Sequence, residues 1–209
     1  KAYSGKSIAF GAAGLATKAA GTAYFNDENL KFQWHLVNHG DLRPTKFSKG
    51  ADVGVEKAWE LCTGDPSIIV AVLDEGIDIT HPDLKDALWV NEGEIWRSHE
   101  DNDGNGYPGD VHGYNFALGT PIISTSDKND SGHGTHVAGV IGAVNNNGIG
   151  ISSIAGGDGS RKGVRLMSCQ IFSGVKSGTV LDEVRAIKYA ADNGAVILQC
   201  SWGYNSGAA

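Results

Sequence analysis

Cysteine is scarce, with three in 209 residues, at positions 62, 169 and 200. So small and odd a set supplies no disulfide framework. Cys169 and Cys200 both fall in strand-like runs, which leaves open either a bridge between neighbouring strands or two buried free thiols. Long apolar runs are missing as well. No stretch reaches the ~18 residues that a membrane-crossing helix needs, and the small-residue segment from Ile8 to Ala23 is broken by Lys18. Clusters of Lys and Arg are absent, and 24 acidic against 17 basic residues leave a net charge of −7. That balance argues against nucleic acid and anionic membranes as partners. No convincing motif for a nucleophilic serine is present either; Ser206, in Asn205-Ser206-Gly207, lacks a strand-to-helix elbow.

Glycine is plentiful, 30 residues of 209, about twice the usual ~7 %. This predicts many tight turns and close backbone approaches. A chain of this length can bury roughly 70 % of its unfolded surface, enough for a core without covalent staples.

Residues 1–22 alternate small and polar residues with weak periodicity and are expected to be a linker or the tail of a pro-segment. Phe25, Phe32, Trp34 and Leu36 form an expected aromatic cluster on the outside of the domain. A short helix is predicted over 52–61, with Asp52 as N-cap and Trp59 facing inward. Apolar runs at 67–73, 164–171 and 195–201 read as buried strands. Periodic stretches at 135–144 and 180–193 read as helices, the second closed by Gly194. Residues 98–115 read as a loop. Strands alternating with helices predict an α/β fold with a parallel, doubly wound sheet and flanking helices. Functional groups are then expected beyond the carboxyl ends of the strands.

Asp74 ends the first apolar strand and is followed by Glu75 and Gly76. A carboxylate there can accept the Nδ1 hydrogen of a histidine, fix its tautomer and stabilise the imidazolium formed during reaction. His133 lies between two glycines at the start of a helical run, with room for a substrate beside it. The helix N-terminus disfavours its cation, so a carboxylate partner is chemically expected. Asp74 capping the next turn, and His133 as a polar helix start, are the plainer readings of each residue alone. His133 and His136, three apart, also have the spacing of a zinc pair, but the Glu of the His-Glu-x-x-His pattern is missing.

The stretches Val70-Ala71-Val72-Leu73-Asp74-Glu75-Gly76-Ile77-Asp78, His81-Pro82-Asp83-Leu84 and His133-Gly134-Thr135-His136-Val137-Ala138-Gly139 resemble the amino-terminal half of the subtilases, the subtilisin-like serine peptidases. Ile197-Leu198-Gln199-Cys200-Ser201-Trp202-Gly203 is a looser match, and the likeness runs over about residues 24–209. The resemblance implies that residues 23–209 are the amino-terminal part of such a peptidase domain, with its carboxyl-terminal part missing. Asp74 would be the orienting acid and His133 the general base of an Asp-His-Ser triad. The nucleophilic Ser and the oxyanion-hole Asn would lie in a companion carboxyl-terminal segment, and the chain alone would be inactive. Lys176, Ser177 and Gly178 would align with the edge that pairs with a peptide or protein substrate. Ser201, Trp202 and Gly203 would flank the primary specificity pocket. An extracellular or cell-surface location is also implied by the resemblance.

Two departures carry expectations. Glu75 stands where the family usually has Thr or Ser, and a second carboxylate beside Asp74 predicts a pH optimum moved upward. Trp202 replaces a smaller aliphatic residue, which predicts a reshaped pocket. Asp101, Asp103 and Asn105, with Gly104 and Gly106 at the bend and Asp110 nearby, resemble the start of a calcium loop. The usual Glu at the twelfth position is replaced by His112, so the loop is not an EF-hand; a solvated acidic turn is the other reading. A second structural calcium site, at Asp83 and Asn146, is implied by the family likeness alone. Two other functions stay open: a catalytically inactive, peptide-binding subtilase-like module, and a metal-binding structural module.

Overall fold

A computed structural model describes residues 24–40, 48–96 and 98–203. The expected linker at 1–22 and Ser206 lie outside the described residues. The central sheet has four parallel strands in the order β2-β3-β1-β6: β1 (Ile69–Asp74), β2 (Gly113–Asn115), β3 (Arg165–Gln170) and β6 (Ile197–Gln199). A two-stranded antiparallel ribbon joins β4 (Phe172–Ser173) to β5 (Lys176–Ser177). The helices are α1 (Val55–Trp59), α2 (His133–Gly142) and α3 (Val180–Asp192).

Strand β1 is buried at every position, which is why it reads as a continuous apolar run rather than an alternating one. Its pleat still sorts the side chains. Ile69, Ala71 and Leu73 pack with Ala186, Tyr189 and Ala190 of α3, while Val70 and Val72 pack with Ala138 of α2. The two longer helices therefore cover opposite faces of the sheet, as expected for a doubly wound fold. The chain places β3 on one side of β1 and β6 on the other. The carboxyl end of β1 thus lies where the winding changes direction, the usual place for a site.

Several local expectations need correction. The first helix starts at Val55 with Gly54, at φ 68°, as its N-cap. Asp52 instead accepts hydrogen bonds from the Gly54 and Asn38 amides, at 2.7 and 2.9 Å, and so ties the preceding loop. The aromatic cluster divides: Phe25 and Leu36 are buried with Leu30, Val55 and Trp59, whereas Phe32 and Trp34 are exposed. Cys169 and Cys200 are not bridged; Cys169 is buried and Cys200 is exposed. The last strand shortens to Ile197–Gln199. The helix at 180–192 carries a capping box: Thr179 accepts from the Asp182 amide, and the Asp182 carboxylate accepts from the Thr179 amide at 2.9 Å. Asn193 and Gly194, at φ 84°, close it as predicted.

Candidate active site

Asp74 ends β1, and His133 is the first residue of α2. Both Asp74 carboxylate oxygens lie 2.9 Å from His133 Nδ1. The Asp74 residue is 3 % exposed, while the His133 side chain is 46 % exposed. Asp74 Oδ1 also accepts the Glu75 amide at 2.8 Å. A buried acceptor that holds Nδ1–H leaves Nε2 as the basic nitrogen on the open side of the ring.

The helix reaches this position because two glycines permit it. Gly132, at φ 77°, makes the left-handed turn into α2. Gly134 lies so close to the β1–α2 junction that a Cβ there would sit 2.5 Å from the Gly76 carbonyl oxygen. Thr135 Oγ1 accepts the Asp78 amide at 2.9 Å, a further tie between the end of β1 and the start of α2. Gln170, the register partner of Asp74 on β3, is fully buried behind Gly76. It also fastens the segment before α2 by exchanging hydrogen bonds with the Ser124 backbone, at 3.1 and 2.8 Å.

Ribbon residues Lys176 and Ser177 are exposed, and the Gly178 amide donates to Ile171 O at 2.6 Å. Lys176 and Ser177 pair on one edge with Ser173 and Phe172. Ser201 and Gly203 are exposed. The Trp202 indole N–H donates to Leu73 O at 2.8 Å, and its ring meets Phe172 edge-on with centroids 6.1 Å apart. That bond sets Trp202 beside the carboxyl end of β1, next to Asp74.

The acidic loop converges. Carboxylate oxygens of Glu94, Asp101 and Asp103 lie within 4.8 Å of one another. Asn105 donates from its amide to Asp101 and Asp103, both at 3.0 Å, and from its side chain to Asp110 at 2.9 Å. Asp110 is fully buried and also accepts from Tyr189 Oη at 2.6 Å and Asn91 Nδ2 at 3.0 Å. Burial pushes its carboxyl above the usual range, against these hydrogen bonds. Glu94 is a residue that sequence spacing misses, because it precedes the loop by seven positions and joins it only through the fold.

Asp83 is buried and accepts from the Ile151 amide at 3.0 Å and from Asn147 Nδ2 at 2.8 Å. Burial, helped by nearby Asp27, pushes its carboxyl up. Asn147 is thus its side-chain hydrogen-bond partner. Asn146, at φ 61°, accepts from the Asn26 amide at 3.1 Å and donates to Asp158 O at 3.2 Å. Asp27, also missed, binds the Asn146 and Asn147 amides at 3.0 Å each and Ser152 Oγ at 2.6 Å.

The fold and this couple define the class: a doubly wound α/β domain presenting an acid-oriented histidine at the carboxyl end of its parallel sheet. The subtilase family profile matches residues 65–209, and the chain belongs to that family. It is 36 % identical over 183 residues to subtilisin-like protease 1 of Plasmodium vivax, covering 87 % of this chain and 25 % of that protein. It is 33 % identical over 151 residues to halolysin of Haloferax mediterranei, covering 72 % of this chain and 24 % of that one. The chain thus spans about a quarter of the length of these relatives. Among solved structures, a serine protease of Aeromonas sobria, crystallised with its chaperone, aligns with a TM-score of 0.63 at 22 % identity, over 90 % of this chain and 29 % of that one. A protease of Pseudoalteromonas arctica aligns with a TM-score of 0.50 at 27 % identity, over 88 % and 48 %.

Proposed function

We propose that this chain supplies the acid–base half of a serine endopeptidase, with the nucleophilic serine and oxyanion donor contributed by a companion carboxyl-terminal segment. The observation that carries the reading is the couple itself: a buried Asp74 whose two oxygens both lie 2.9 Å from Nδ1 of a half-exposed His133. In this scheme His133 Nε2 takes the serine proton as the hydroxyl attacks the peptide carbonyl, then returns it to the leaving amine. Asp74 keeps the ring in the productive tautomer and stabilises its transient cation. An acyl-enzyme forms and is hydrolysed by water through the same base.

The companion segment has support from the far end of the sheet. Val180, Leu181, Val184 and Ile187 form an exposed apolar face of α3, and on the other face of the sheet Ile197 of β6, in register with Val70, is exposed as well. Strand β6 pairs with β1 alone among the described residues. An apolar helix face and an open strand edge with an exposed apolar residue suit further strands and a helix. Substrate would lie along Lys176, Ser177 and Gly178 as an added strand, so that main-chain hydrogen bonds give sequence-tolerant affinity. Ser201, Trp202 and Gly203 would wall its first side-chain pocket.

Calcium fits the acidic loop. Glu94, Asp101 and Asp103 would hold the ion, beside Asn105 and Asp110, which hydrogen-bond to each other. The ion would supply positive charge that offsets carboxylate repulsion and locks the loop. Asp83 with Asn147 is a second candidate. Action outside the cell, on peptide or protein substrates, accords with this reading; among the described residues no helix is long and apolar enough to cross a membrane. The test is labelling of the full-length protein by a fluorophosphonate probe. Labelling that disappears in His133→Ala supports the peptidase, whereas peptide binding without labelling supports an inactive binding module.

A further inference from the structure

Helix α2 starts without a local cap. Its N-cap is Gly132, which has no side chain to accept a hydrogen bond from the first turn. An uncovered helix start leaves amide hydrogens and a partial positive charge pointing at the residues around it. Here the residue at that start is His133 itself. Its own chemistry requires it to become a cation during the proposed reaction, so the helix end works against it.

The acceptor comes from far away in sequence. Glu75 Oε2 accepts the Ser131 amide at 2.9 Å, the Ser131 hydroxyl at 2.9 Å and the His133 amide at 3.2 Å. Glu75 directly follows Asp74 at the end of β1. Two successive carboxylates therefore grip one residue: Asp74 by the imidazole, Glu75 by the main chain. Glu75 also fixes the turn at 131 that feeds the helix.

We infer that Glu75 is a positioning residue for His133, serving as a remote N-cap whose charge neutralises the helix end at which the imidazolium must form. This rests on the peptidase reading above, and it assigns Glu75 no contact with the reacting atoms. The Glu75 contribution has two separable parts. Its oxygen holds the backbone, and a glutamine can do the same. Its charge acts on the proton-carrying state of His133, and a glutamine cannot.

The experiment compares Glu75→Gln, Glu75→Ala and His133→Ala in the full-length protein, using steady-state peptide hydrolysis and hydrogen–deuterium exchange of the segment 128–136. Glu75→Gln should retain the exchange protection of that segment while kcat falls about two- to fivefold at unchanged KM, the size expected for one charge at a helix end. Glu75→Ala should lose the protection as well and lose more kcat than Glu75→Gln. A wild-type kcat in Glu75→Gln, or unchanged protection in Glu75→Ala, overturns the inference. If His133→Ala keeps wild-type turnover, the peptidase reading itself fails; if only the Glu75 variants behave as wild type, that reading stands and this one falls.

Discussion

Gly134 and Gly76 meet backbone to backbone: any side chain at 134 would begin 2.5 Å from the Gly76 carbonyl oxygen. The contact presses the first turn of α2 onto the end of β1, and through it the imidazole onto its carboxylate. Gly134→Ala should therefore both destabilise and disarm. Forced overpacking of a tight site costs about 1–3 kcal/mol, readable as a lower denaturant midpoint. Because His133 adjoins the displaced residue, kcat should fall more than the small loss of folded protein explains.

Asp74→Asn replaces an acceptor of the Nδ1 hydrogen by a group that can also donate, and so favours the wrong tautomer. Turnover of the full-length protein should drop by roughly 10⁴-fold, as for the equivalent change in other triads. Stability should change little, since the amide keeps the shape of the buried side chain. A variant with wild-type kcat would sink the assignment of Asp74.

The Trp202 indole bonds to Leu73 O and packs on Phe172. Trp202→Leu would drop the hydrogen bond and open space beside residues 201–203. The expected result is a change in the preferred residue before the cleaved bond, towards larger side chains, measured as ratios of kcat/KM across a peptide panel. Unchanged ratios would remove Trp202 from the pocket.

Thr179 and Asp182 cap α3 reciprocally. Thr179→Ala should cost about 0.5–2 kcal/mol. Asp182 is held below the ordinary carboxylate range, chiefly by the hydrogen bond with the Thr179 side chain and by the Thr179 amide. A depressed folded-state value means that the ionised group stabilises the fold above the unfolded value near 3.8. That contribution fades as pH falls through the folded value. Asp182→Asn should thus flatten the acid side of the stability–pH curve and leave the neutral-to-basic slope alone, as chemical denaturation at stepped pH would reveal.

If calcium occupies the acidic loop, adding it to chelator-treated protein should raise the thermal midpoint. Ligand at a hundredfold excess over Kd stabilises by about 2.7 kcal/mol. Glu94→Gln with Asp103→Asn should abolish that increment. An increment that survives the double variant would move the ion elsewhere, with Asp83 and Asn147 the next place to look.

Much of this molecule was legible in the linear chain because its signals are local. A continuous β-branched run ending in Asp74 predicts a buried strand with a carboxylate at its tip. A glycine-flanked histidine before a small-residue run predicts a helix start. Both hold, and so does the alternation that implies a doubly wound sheet. The carboxyl end of the helix at 180–192 was legible because a left-handed glycine, Gly194, marks it, whereas the Thr179 capping box at its start emerged only from the structure. The helix near 55 was misread because Asp52 has the composition of a cap yet spends its oxygens on the Asn38 and Gly54 amides.

The residue types, their order and the family likeness were set by the sequence alone, since each is written in short windows of chain. Only the tertiary structure decided which distant atoms share a hydrogen bond. It brought Glu94 to the acidic loop, gave Asp83 the Asn147 side chain as a partner, and laid the Glu75 oxygen on the main chain of His133. The physical reason is that hydrogen bonding depends on separations of about 3 Å in space. Such distances between residues tens of positions apart are fixed by sheet register and helix packing, which no local pattern encodes.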